Sequence, residues 1–87
     1  MTNKKTIIGF GGKLNGERKK QSISVQALAE ACGISRSYLT LIENDMRLPS
    51  KKLLPKIAAA LGTNTTVVLN WYLEDIRQKV SKDLEVY

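Results

Sequence analysis

The stretch VQALAEACGISRSYLTLIEN, residues 25–44, confines this chain more tightly than any other part of it. Gly33 divides it into two runs, each too short to persist as an isolated helix and each preceded by a serine. Ser24 is placed to cap a helix over about 25–32, and Ser35 to cap a second one beginning at Arg36. Glycine takes a left-handed conformation cheaply, so Gly33 is expected to end the first helix. Leu28 and Cys32 lie four apart with Ala29 beside them, a narrow face of small and apolar residues. Leu39 and Ile42, three apart, face inward from the second run. Small residues at Ala29 and Gly33 are expected to let the helices approach closely at a steep angle. Two short helices joined around a glycine make a helix-turn-helix unit.

The flanking segments also read as helices. Residues 10–21 pair Phe10 with Leu14 and carry a basic face of Lys13, Lys19 and Lys20. This helix contains Gly11, Gly12 and Gly16, each costing about 1 kcal/mol against alanine, so its start is expected to be frayed or to lie later. GFGGKLNG is not a phosphate-cradling loop, because Leu14 takes the last glycine position and no strand precedes it. In RLPSKKLLPKIAAALG, Pro55 is tolerable only near a helix start. The regular part should begin near Leu53, with Ser50 as a cap, and end at Gly62. Leu54, Ile57, Ala58 and Leu61 form its buried stripe. Asn64 is placed to cap a longer last helix. TTVVL is the single β-branched run, and it flows into a helical pattern, so the chain reads as all-α: a compact bundle of about five helices.

With 87 residues the chain is at most one domain, near the lower end of what folds unaided. One cysteine and no histidine leave no intramolecular disulfide and too few ligands for a Cys/His zinc site. Cys32, among alanines, reads as a small buried hydrophobe. The commonest general base is missing, no catalytic constellation stands out, and no enzyme activity, metal or cofactor is expected. No stretch is long and apolar enough to span a bilayer. The N-terminal lysines before Ile7, Ile8 and Phe10 fall short of a signal peptide, which makes a cytoplasmic location the default.

Charge is unevenly placed. Residues 1–60 hold eleven Lys/Arg against four Asp/Glu, and residues 61–87 hold three against four. A basic front suggests that one part of the chain meets a polyanion. On the second helix of the pair, Arg36, Ser37 and Thr40 fall on one outward side, and Leu41 lies beside them. Three readings are open for that leucine: contact with a thymine methyl, a patch for another protein, or a half-buried position against Tyr38.

From about Phe10 to Leu69 the chain resembles the phage-repressor/Cro-type (Xre) helix-turn-helix family. Leu28-Ala29, Cys32-Gly33-Ile34, Leu39 and Ile42 occupy that family's core positions. SYLTLIEN, then a Pro-Ser, then KIAAALG is also typical in order and spacing. The resemblance implies a lambda-repressor-like domain in which Arg36, Ser37, Thr40 and Leu41 face the major groove of double-stranded DNA. Ser35 and Asn44 would lie at the groove's edges near phosphates, and Arg18 and Glu43 match a pair that ties the first helix to the recognition helix. The physics agrees, since a helix fits that groove and Arg36 can fork onto guanine O6 and N7. Lys19, Lys20, Arg47, Lys51 and Lys52 flank the motif and are expected to position phosphates. The family often has glutamine where this chain has Val25; Gln26, one place on, is the substitute for that backbone contact.

Beyond the motif, Leu69, Leu73, Ile76, Val80 and Leu84 recur at intervals of 4, 3, 4 and 4, a near-heptad stripe. Val68 to Trp71 is expected to pack on the domain's own core and the rest on a partner, most simply a second copy. The expected organisation is thus a flexible basic arm over 1–9, a DNA-binding domain over 10–69, and a dimerising helical extension over 70–87. A nucleoid-associated transcriptional repressor binding a palindromic operator follows, since 87 residues leave no room for an effector domain. The alternatives are a restriction-modification controller, an antitoxin-type regulator, or an accessory that binds a protein partner through Leu41 and the C-terminal stripe.

Overall fold

In a computed structural model, residues 9–85 are described, with side chains as far as residue 80. Five helices follow one another and no strand occurs among the described residues: α1 Phe10–Lys20, α2 Val25–Cys32, α3 Arg36–Glu43, α4 Leu53–Leu61 and α5 Thr65–Glu85. The architecture is the expected small all-α bundle. Residues 1–8 of the basic arm and the side chain of Leu84 lie outside the described residues.

Local capping sets most helix ends. Ser24 accepts from the Ala27 amide at 3.0 Å, Ser35 from Tyr38 at 3.0 Å and Asn64 from Val67 at 3.1 Å, each satisfying a donor that the helix itself cannot. Gly33 and Gly62 end α2 and α4 with φ of 70° and 69°. Ser50 does not cap α4: Lys52 holds the N-cap position without a side-chain bond, and the Ser50 carbonyl takes the Leu53 amide instead. Gly33 ends α2 as expected, but one expectation for it does not hold. A Cβ there would meet nothing within 4 Å, so its backbone conformation matters and close helix approach does not.

The glycine-rich start of α1 is where the sequence misleads. The helix begins at Phe10, without fraying, because two distant aspartates hold its first amides. Asp75 of α5 accepts from the Phe10 N–H at 2.8 Å, and Asp45, just past α3, accepts from the Gly11 N–H at 2.9 Å. Negative charge at a helix start is also favoured by the helix dipole. Gly11 is required here: a Cβ would collide with the Ile42 carbonyl oxygen and lie 2.7 Å from that of Glu43. The backbone of α1 thus rests directly on the end of α3.

The core gathers Phe10, Leu14, Leu28, Leu39, Ile42, Ile57 and Val68, all essentially inaccessible, with Ala29 and Cys32 filling the α2 face. Trp71 and Tyr72 of α5 pack edge-on against the Phe10 ring, with centroids 6.2 Å and 6.4 Å away. The first half of α5 therefore belongs to the domain core, although Leu69 within it stays 38% exposed.

Candidate nucleic-acid interface

Two buried side chains, Leu39 and Ile42, fix the rotation of α3. Their burial turns Arg36, Ser37, Thr40 and Leu41 outward as one contiguous exposed face, with Asn44 continuing it at the C-cap. Arg36 supplies five fixed donors, Ser37 and Thr40 can donate and accept, and Leu41 offers methyl groups. Such a face can read the edges of base pairs. Leu41 is 38% exposed, which leaves part of its side chain open to a partner.

A buried ion pair braces this helix. Arg18 of α1 meets Glu43 in a fork, Nε to Oε2 at 2.7 Å and Nη2 to Oε1 at 3.1 Å. Its third nitrogen donates to the Ile23 carbonyl at 2.8 Å, and Asn15 donates to Glu43 Oε1 at 2.8 Å. Both charged side chains are less than a tenth exposed, so each needs the other to offset desolvation. Two acids beside the outward face are thereby withdrawn from it: Glu43 turns onto Arg18 and Asp45 onto the Gly11 amide.

The flanking cations are exposed. Lys19 and Lys20 lie in the last turn of α1, and Lys51 and Lys52 in the turn before α4. Arg47 sits with its guanidinium carbon 5.8 Å from the centre of the Tyr38 ring, a cation–π contact that limits where it can point. Ser35 spends a lone pair on its cap, yet its hydroxyl proton is free to donate. Gln26 is exposed on α2 and bonded to Glu30 at 2.9 Å; that bond must open if Gln26 is to grip anything else.

Among the described residues, two ionisable groups depart from their ordinary values. Burial alone raises the Asp75 carboxyl. Contact with the Lys79 ammonium, the Phe10 amide bond and the Lys13 charge outweigh it and hold the group below the usual aspartate range. Lys79 Nζ lies 2.9 Å from Oδ1 as an ion pair, although off the angle of a regular hydrogen bond. Burial pushes the Cys32 thiol up, against a smaller downward pull from Lys56, which leaves it protonated and inert.

The helix-turn-helix family HTH_3 matches residues 17–68. The chain belongs to this family, in its Xre-type branch. Within the helix-turn-helix match, α2 and α3 are the two helices of the motif, and the stretch beyond Val68 falls outside it. The chain is 36% identical over 59 residues to the ImmF control region 10 kDa protein of Bacillus phage phi105, an alignment covering 68% of this chain and 66% of that protein. It is 34% identical over 62 residues to the HTH-type transcriptional regulator SinR of Bacillus licheniformis, covering 70% of this chain and 56% of SinR. The chain therefore spans about two thirds or less of these relatives. A crystal structure of the biofilm regulator SinR in complex with DNA superposes with a TM-score of 0.63 at 33% identity, over 69% of this chain and 97% of that one.

Sequence reasoning missed Asp45, Asp75 and Asn15. None has a local signal, because each acts on a partner 28 to 65 residues away. The C-terminal stripe is split: Leu73 and Val80 are about half exposed, and Ile76 is partly covered.

Proposed function

We propose that this helix-turn-helix protein is a sequence-specific double-stranded DNA-binding transcriptional regulator, acting as a repressor by occluding promoter DNA, and not an enzyme. The observation that carries it is the exposed face Arg36, Ser37, Thr40 and Leu41 on a helix clamped by the Arg18–Glu43 pair. The fold likeness to SinR, solved with DNA, supports the same partner. In this role Arg36 reads guanine, Ser37 and Thr40 are permissive readers, and Leu41 meets a thymine methyl. Ser35, Asn44, Gln26, Lys19, Lys20, Arg47, Lys51 and Lys52 position phosphates. Cytoplasmic residence on the nucleoid goes with that role; no helix among the described residues is long and apolar enough to cross a membrane.

A dimer completes the proposal. Leu69, Leu73, Ile76, Val80 and Leu84 would meet a second copy, placing two α3 helices about 34 Å apart on a palindromic operator. Mass measured on dilution checks this: Leu73→Glu should shift the population to monomer, and a wild type already monomeric at micromolar concentration removes the dimer.

Selection of bound sequences from random duplex DNA, read at two salt concentrations, tests the function. A palindromic consensus is expected, and Arg36→Ala should lose about 1–3 kcal/mol at one base pair while relaxing preference there. Uniform weakening on every sequence would remove Arg36 as a base reader. No binding to any duplex at low ionic strength would remove the function.

A further inference from the structure

We propose that the groove where the α2–α3 turn meets the start of α4 seats a backbone phosphodiester of the bound duplex, with Lys56 as a phosphate contact beside Lys52. The proposal deepens the DNA-binding role above and rests on it. The groove holds about 160 Å³ over an apolar floor of Cys32, Ile34 and Leu53. Its rim carries Tyr38, Ser50, Lys52 and Lys56. Lys52 and Lys56 stand four apart, so their ammonium groups share one side of α4. Neither has an ion-pair partner among the described residues, and no carboxylate lines the groove. Cations and hydroxyl donors without an acid are chemistry for an anion.

Helix amides do not supply the binding here. The Leu53 and Leu54 N–H groups are spent on the Ser50 and Lys51 carbonyls at 3.0 Å and 3.2 Å, and Pro55 has no amide hydrogen. The lysine side chains must therefore carry the affinity, which is why Lys56 matters and a generic helix N-terminus would not. The groove is open to solvent. A free anion would need donors closing around it, whereas a phosphate belonging to a chain can enter and leave along an open shelf. Tyr38 is itself part of α3, so a phosphate held here runs alongside the helix proposed to enter the major groove.

The test is the salt dependence of duplex binding by the full chain with Lys56→Gln, against Arg77→Gln on the exposed far part of α5. Lys56→Gln should flatten the slope of log affinity on log salt by about one unit, with sequence preference unchanged. Between 50 and 200 mM salt the wild type should then lose about 3.5-fold more affinity than Lys56→Gln; Arg77→Gln should track the wild type. Amide signals of Gly33 and Leu53 should move on adding duplex and stay put with inorganic phosphate at matched ionic strength. An unchanged slope for Lys56→Gln, in a wild type that does bind duplex, overturns the groove assignment and leaves the DNA-binding role intact. Saturable shifts with inorganic phosphate alone overturn it in favour of a small-anion site. Failure of the wild type to bind any duplex sinks the DNA-binding role itself.

Discussion

Glu43→Ala isolates the brace that holds α3 in place. The substitution removes both acceptors of the Arg18 fork and the acceptor of Asn15, leaving Arg18 only the Ile23 carbonyl. Arg18 is 7% exposed, so its charge would stay largely desolvated and unpaired. Breaking a buried pair in this way costs about 3–5 kcal/mol. A domain of this size has roughly 4–13 kcal/mol in total at about 0.05–0.15 kcal/mol per residue, so a large share of the stability should go. Urea denaturation with a double-mutant cycle reads it out. The companion Arg18→Met/Glu43→Leu chain removes both charges and refills the space; it should recover most of the loss, since apolar replacement of a buried pair is often neutral or stabilising. A cost for Glu43→Ala below about 1 kcal/mol would mean that the guanidinium escapes to water and clamps nothing. A double variant as unstable as Glu43→Ala would refute the unpaired-charge reasoning outright.

Four further outcomes follow from the same geometry. Gly11→Ala should destabilise by about 3 kcal/mol, the upper end for overpacking, because the obstacle is the backbone of α3. Gly16→Ala, with open space around it, should stabilise by about 1 kcal/mol; paired thermal melts give both. Asp75→Asn should cost about 1–2 kcal/mol at neutral pH by weakening a charge-assisted bond to the Phe10 amide. Since the folded carboxyl sits below its ordinary value, that contribution exists above the unfolded pKa and fades as pH falls through the folded one. Wild-type and Asp75→Asn stabilities should accordingly converge in acid, and a constant gap down to pH 2 would reject the assignment. Cys32 should react with thiol reagents only as fast as the protein opens, given its burial and raised pKa; rapid reaction in native buffer would contradict that burial.

What was legible in the sequence divides by range. Ser24, Ser35 and Asn64 could be read because a cap acts three residues along its own helix, and Leu39 with Ile42 because spacing alone gives a helix its inner side. The helix-turn-helix frame and the outward Arg36 face follow from those local rules. Gly11 was misread for the opposite reason. Helix propensity counts its flexibility as a cost, while its value lies in contact with carbonyls of α3 more than thirty positions ahead, which no local pattern records. Arg18–Glu43 was legible only through family likeness, since residues 25 apart share no periodic relation.

The two aspartates show what such long-range contacts add to function. Asp75 reaches from α5 and Asp45 from the end of α3, and they bind the neighbouring amides of Phe10 and Gly11. One turn of α1 is therefore the common anchor for the helix proposed to read DNA and the helix proposed to meet a second copy. A shift of α5 that broke the Asp75 bond would leave the Phe10 N–H unpaired in a buried site, at a cost of about 1–3 kcal/mol. That cost opposes changes in the spacing between the outward face of α3 and the stripe on α5. A dimer built on this stripe would then favour one separation of its two reading helices, and an operator with altered half-site spacing would have to be bent or twisted to fit, at a cost in affinity.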